Sequence, residues 1–305
     1  EFLICRDEEF RRGGHLEYVK MLGGDSSVKE GWKSAFSHIY HYRKRNEKML
    51  LQETGDALRE PEDSRWPTVK AGIEHGINTI DSSSMGRLFD AMAAFTGIHD
   101  YNRYEGECAI MLENAAAEAL ERGLEPWDMS FSVRPSVKAE RTKEMGTGLS
   151  VPTEAGTEIL ISAESVLWRV EEALSSGIDP GRIALGFHYA VADMILEVCR
   201  MIRQREGINT VALTGGVFQN KILMERSLVL LRKEGFHPYY NISVSPNDGG
   251  VCLGQNYIGM KYLTKKRLGD NIEGGLEGKG KGDESEPNAR GKRDESEPNA
   301  REDRR

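Results

Sequence analysis

Val211-Ala212-Leu213-Thr214-Gly215-Gly216-Val217-Phe218-Gln219-Asn220 and, thirty residues on, Pro246-Asn247-Asp248-Gly249-Gly250 frame the stretch that decides the fold, Val211–Gln255. Thr210–Leu213 is short, apolar and partly β-branched, like a buried strand of a parallel sheet. A helix is expected over Lys221–Glu234, a strand over Tyr239–Val244 and a closing helix over Gly249–Lys261. Strand, helix, strand and helix in that order mean an α/β layer with crossover connections.

Each strand of this layer ends in glycines. Gly215 and Gly216 let the backbone approach a ligand and turn through positive φ, and the helix behind them directs its N–H groups at the same place. Asn220 can bond a base, a ribose or its own backbone. The plain alternative is a strand-to-helix turn with no ligand. Asp248, at the carboxyl edge of the sheet, can hold a divalent ion or orient a hydroxyl, or it can cap the following helix. Two such turns on adjacent strands would face one crevice, which makes this a nucleotide-handling edge.

Upstream, Ser83-Ser84-Met85-Gly86-Arg87-Leu88-Phe89-Asp90 begins a helix over Met85–Phe95, with serines suited to its cap. Gly86 and Asp90 are four apart and share a face, so Asp90 can accept from ribose hydroxyls across a glycine that permits close approach. On composition alone a solvated Asp beside Arg87 is favoured. Tyr104-Glu105-Gly106 precedes an Ala-rich helix, Glu105–Arg122.

The remaining elements follow from periodicity. Phe2–Arg6 and His15–Met21 read as strands split by a turn at Arg11-Arg12-Gly13-Gly14, with a second turn at Gly23-Gly24-Asp25. Helices are expected over Ser34–Lys48, over Trp66–Gly76 with Val69, Ile73 and Ile77 inward, and over Ile159–Ser175 and Gly181–Arg205. The last of these turns Ile183, Phe187, Ala190, Met194 and Val198 to one side. Residues 124–160 hold two strands and a loop across Thr142–Thr153.

A net charge of −8, with 38% hydrophobic and 30% charged residues, describes a soluble cytoplasmic protein without a nucleic-acid footprint. No apolar run reaches the roughly 18–20 residues that cross a bilayer. Cys5, Cys108, Cys199 and Cys252 are scattered and read as small buried hydrophobes. His38 and His41 have a spacing a metal could use, but aromatic neighbours favour packing; His188 reads as a satisfied core histidine. Lys265–Arg305 carries Asp-Glu-Ser-Glu-Pro-Asn-Ala-Arg twice and has too few apolar residues to offset its ordering entropy, so a disordered tail is expected after a domain over 1–264.

Ser83–Ala91, Tyr104–Gly106, Leu213–Asn220 and Pro246–Gly250, in this order, resemble the C-terminal part of the Kae1-like domain in the carbamoyltransferase family that matures nickel–iron hydrogenases. Gly13-Gly14-His15-Leu16 and Gly23-Gly24-Asp25 resemble the segment before it, and the similarity covers roughly 1–263. The resemblance implies an actin-like, sugar-kinase-like ATPase fold, mainly its C-terminal lobe. It implies carbamoyl phosphate and ATP as substrates in the full-length protein, carbamoyl-adenylate as the intermediate, and transfer to a C-terminal cysteine of a partner maturation protein, where the group becomes the cyanide ligand of hydrogenase iron. It places Gly86, Asp90 and Gly106 on the ribose side of the nucleotide, Gly215, Gly216 and Asn220 on its adenine and phosphate side, and Asp248 on a divalent metal, zinc, iron or magnesium. Catalytic residues are not assigned.

The family's metal site also uses a His-x-x-x-His pair from the first lobe, which this sequence lacks, as it lacks the acylphosphatase, zinc-finger and YrdC-like segments. The chain is therefore read as a C-terminal fragment, inactive in isolation, with an incomplete metal site. A sugar or acyl kinase of the same superfamily, or a truncated non-catalytic nucleotide-binding module, are the other readings; Arg87 and Tyr104-Glu105-Gly106 favour the carbamoyltransferase.

Overall fold

The computed structural model describes residues 1–7, 9–53, 63–136 and 158–277. It runs β1 (Phe2–Arg6), β2 (Glu9–Leu16), β3 (Val19–Leu22), α1 (Gly31–Glu53), α2 (Trp66–Glu74), β4 (Thr79–Ser82), α3 (Met85–Phe95) and α4 (Glu107–Glu121). Then come β5 (Ser132–Pro135), β6 (Ile159–Ser162), α5 (Glu164–Ser175), α6 (Pro180–Glu206), β7 (Thr210–Leu213), α7 (Lys221–Lys233), β8 (His237–Tyr240) and α8 (Val251–Glu277). One compact unit is Glu1–Leu253; a second begins at Gly254.

The first sheet has the order β1-β2-β6-β5, with β2 and β6 parallel and the outer pairs antiparallel. This corrects the expected turn at Arg11–Gly14, which lies inside β2. The chain reverses earlier, where Asp7 takes φ 53. Gly14 is central to the sheet: a Cβ there would stand 2.9 Å from the Ile159 carbonyl oxygen. The glycines serve close strand approach rather than a turn. Ile159–Ser162, expected to open a helix, is fully buried and pairs as β6 before α5 starts. Four consecutive apolar or small residues fit either state, and the neighbouring strand decides.

Helices cover this sheet. Helix α6 has Ile183, Phe187, Ala190, Met194 and Val198 buried as its periodicity demands. It packs on α4 and α7, and α3 packs on α1 and α4. Phe89 and Phe187 meet edge-on at 4.9 Å, an arrangement worth about 0.5–1.5 kcal/mol beyond area burial. A smaller cluster joins Phe36 and Ile39 to Trp66, Val69 and Ile73. Ile77 is excluded from it and is 64% exposed, because α2 has already ended through Gly76 at φ 64.

Strands β7 and β8 are parallel and joined by α7, as the crossover pattern requires. Only Leu213 of β7 is buried, so the strand is less enclosed than its composition implies. Strand β8 spans His237–Tyr240 and stops short of the expected Val244. Helix α8 continues past Lys261 to Glu277, into the stretch read as tail, where Lys, Arg, Leu and Glu carry good intrinsic helix propensity. The loop expected at Thr142–Thr153 and residues 278–305 lie outside the described residues. Cys108 and Cys199 are buried, whereas Cys5 and Cys252 are exposed, so the buried reading holds for two of the four. Among the described residues no helix is long and apolar enough to cross a membrane.

Candidate functional site

The two glycine turns are joined. Gly215 follows β7 at φ 104 and ψ 159, and its N–H donates to the Pro246 carbonyl at 2.7 Å. Gly216–Gln219 forms a single 3-10 turn that packs against α3. A Cβ on Gly215 would meet nothing within 4 Å, and one on Gly216 only the Asn247 Cβ at 3.8 Å. Open space above a backbone that only glycine adopts without strain is what a ligand-facing turn requires. In the second turn Asn247 Oδ1 accepts from the Gly249 N–H at 2.9 Å and from the Ser245 hydroxyl at 2.7 Å. Gly250 has a structural role, since a Cβ there would lie 2.3 Å from the Ser245 carbonyl.

Helix α3 packs against the first of these turns. Ser84 Oγ accepts from the Arg87 N–H, a cap worth about 1 kcal/mol. Gly86 faces open space apart from Ser84 Oγ at 3.7 Å. Gly106 caps α4 at φ 79, a Cβ there would meet nothing within 4 Å, and α4 packs on α3.

Asp90 is not the solvated residue that composition favoured. It is 1% exposed, and neither carboxylate oxygen has a well-formed hydrogen bond. Arg87 Nη2 lies 2.9 Å from Oδ2. Burial raises the Asp90 carboxyl to about 6, against the lowering influence of Arg87 and then Asn102. Both carboxylate oxygens are enclosed by the fold, which is why burial dominates the shift.

Asn220 is committed differently. Its Oδ1 accepts from the Leu223 N–H at 2.9 Å and caps α7, while Nδ2 donates to His188 Nε2 at 2.8 Å. His188 Nδ1 donates to the Ala184 carbonyl at 2.7 Å, so its other nitrogen must be the acceptor. Burial lowers His188 to about 4, opposed by that backbone bond, and the ring is neutral. His188 is a satisfied core histidine, and the Asn220 amide is spent within the fold.

Asp248 is exposed and is the first residue of the 3-10 turn Asp248–Gly250, which Asn247 caps. Among the described residues no group of three His, Cys, Asp or Glu is placed to hold a metal ion. Asp248 does not make a metal centre with the described residues.

Sequence reasoning missed two features. Asn102 is buried and donates to the Val28 carbonyl at 2.8 Å, while its Oδ1 accepts from the Cys108 N–H at 2.6 Å. It ties α4 to the turn before α1, and nothing in its local sequence signals that. His38 and His41 line a small cavity of about 30 Å³ with Ser82, Ser83 and Ser84. The cavity has room for roughly one or two waters. Burial lowers His38 to about 4, so its imidazole stands neutral, and burial lowers His41 as well.

The model of the family "Carbamoyltransferase, Kae1-like Domain, second subdomain" matches residues 1–255. The chain is 27% identical over 268 residues to the probable carbamoyltransferase HypF of Methanocaldococcus jannaschii, covering 87% of this chain and 30% of that protein. It is 29% identical over 272 residues to carbamoyltransferase HypF2 of Cupriavidus necator, covering 86% and 31%. A crystal structure of full-length HypF in the phosphate- and nucleotide-bound form superposes with a TM-score of 0.68 at 30% identity, over 86% of this chain and 30% of that one. The chain thus spans about 30% of the length of these relatives. The fold is the actin-like ATPase fold of the Kae1-like domain.

Proposed function

Because the chain belongs to the HypF carbamoyltransferase family, we propose that it supplies the nucleotide-facing wall of a carbamoyl-transfer site. In the full-length protein that site would use ATP and carbamoyl phosphate, hold carbamoyl-adenylate, and pass carbamoyl to a C-terminal cysteine of a hydrogenase maturation partner. The observation that carries the reading is the hydrogen bond from Gly215 to Pro246, which sets two glycine turns side by side, the first of them packed against α3. A related HypF structure is described as phosphate- and nucleotide-bound, which supports a nucleotide at this edge.

In this reading Gly86, Gly106, Gly215 and Gly216 allow the nucleotide close to the backbone, and Asp90 accepts its ribose hydroxyls. Asn220 acts from behind, shaping the turn through its cap on α7. Asp248 would need further donors from outside the described residues before a divalent cation could be held. A cytoplasmic setting suits this chemistry. Titration calorimetry of the 305-residue chain with ATP is the test. Saturable heat at millimolar ATP or below is expected, and its absence would favour the non-catalytic module. The chain alone should neither hydrolyse carbamoyl phosphate nor form the adenylate; robust turnover without another polypeptide would overturn that part.

A further inference from the structure

Arg87 carries more than surface charge. It is the cation facing Asp90, with Nη2 2.9 Å from Oδ2, and its Nη1 donates to the Ser27 carbonyl at 3.3 Å. Ser27 belongs to the 3-10 turn Gly24–Val28, which the sequence singled out through Gly23-Gly24 and to which the nucleotide reading gives no task. Asn102 holds the same turn from the other side through the Val28 carbonyl, and its backbone N–H donates to the Lys29 carbonyl at 2.6 Å. One guanidinium thus joins a buried carboxylate on α3 to a turn that is itself clamped to α4.

We propose that Arg87 is the positioning residue of this site: it fixes the Asp90 carboxylate in one orientation and ties it to the Gly24–Val28 turn. The proposal rests on the reading of Asp90 as the ribose contact. Burying a lone carboxylate is unfavourable unless a cation or donors face it. Here both oxygens otherwise lack well-formed hydrogen bonds, so Arg87 is the larger of the two influences, ahead of Asn102, that favour the charged form against burial. Among the described residues Cys108 on α4 also faces Asp90; its thiol is pushed up to about 12 by burial and by Asp90, Asp100 and Glu107, and so stays neutral. Without Arg87 the carboxyl should retain its proton to higher pH and lose its ability to accept two hydroxyls.

The test compares the full chain with its Arg87→Gln and Arg87→Lys variants. One arm follows the Asp90 carboxyl by carbon-13 NMR against pH; the other measures ATP affinity by calorimetry from pH 5.5 to 8.5. In Arg87→Gln the Asp90 midpoint should rise by roughly a pH unit from about 6, with ATP affinity about fivefold weaker at pH 6, about twofold weaker at pH 7 and recovering as pH rises further. Arg87→Lys should restore most of both. An unchanged Asp90 midpoint in Arg87→Gln would overturn the assignment, as would a pH-independent loss that lysine fails to rescue. Should ATP bind none of the three proteins, the nucleotide reading fails, and the carboxyl titration still decides whether Arg87 governs Asp90.

Discussion

Helix α6 and the Gly215–Gly250 edge both carry glycines, yet the structure uses them in opposite ways. In α6, Gly186 lies against the Trp127 backbone, where a Cβ would stand 2.1 Å from the carbonyl oxygen. Its neighbour His188 is fully buried and has both ring nitrogens satisfied. At the edge, Gly215 has no neighbour for a side chain to meet, and Asp248 is exposed without a described partner. A glycine that makes room for protein and a glycine that leaves room look identical in a sequence. Only the space beside each separates a packing requirement from a site.

Substitutions that fill or leave that space test the distinction. Gly186→Val should be the most damaging change. It forces a side chain into backbone that cannot yield, costing about 3 kcal/mol or more, and denaturant melts should show loss of a cooperative transition or a much lower midpoint. Asn220→Ala removes the α7 cap and leaves His188 Nε2 without its donor. A loss of about 2–3 kcal/mol is expected, together with weakened ATP binding in proportion to the lost fold. If Asn220→Ala instead left stability untouched and abolished binding, Asn220 would belong with the open edge rather than with the core.

Acid should expose the same division more gradually. His38 and His188 are lowered to about 4 in the folded chain from an ordinary value near 6.5, so the unfolded chain binds more protons between those values. Their contribution is complete above about pH 6.5 and is lost as pH falls toward 4. Asp90 works the other way. Its folded value near 6 lies above the unfolded one, so the folded chain holds the extra proton and Asp90 costs stability as pH rises through that range. Asp90→Asn should therefore steepen the loss of stability between pH 6 and 4, which thermal melts across that range would read. Gly215→Ala should cost about 1–3 kcal/mol from its backbone conformation alone. Its ATP affinity should nevertheless fall severalfold, and an unchanged affinity would remove Gly215 from the site.

Much of this was legible in the chain itself. The amphipathic period of α6, the serine cap at Ser84 and the strand–helix–strand of β7, α7 and β8 follow from local patterning, and the structure keeps them. Where local signals tie, they mislead. Gly13 and Gly14 suit a turn as well as a close strand contact, and Ile159–Ser162 suits a helix as well as a strand. The four spaced motifs determined the family, because their order survives without any knowledge of packing.

Tertiary structure decided what each motif residue does. Asn220 reads as a polar ligand but is consumed by the α7 N-terminus and His188, since a buried amide must be satisfied wherever donors and acceptors happen to lie. Asp90 reads as a surface acid beside Arg87 but is enclosed, because α3 turns that face toward Asn102 and Cys108. Sequence spacing places residues on one face of a helix. Which face is dry, and which charge stands opposite it, depends on elements far away in the chain.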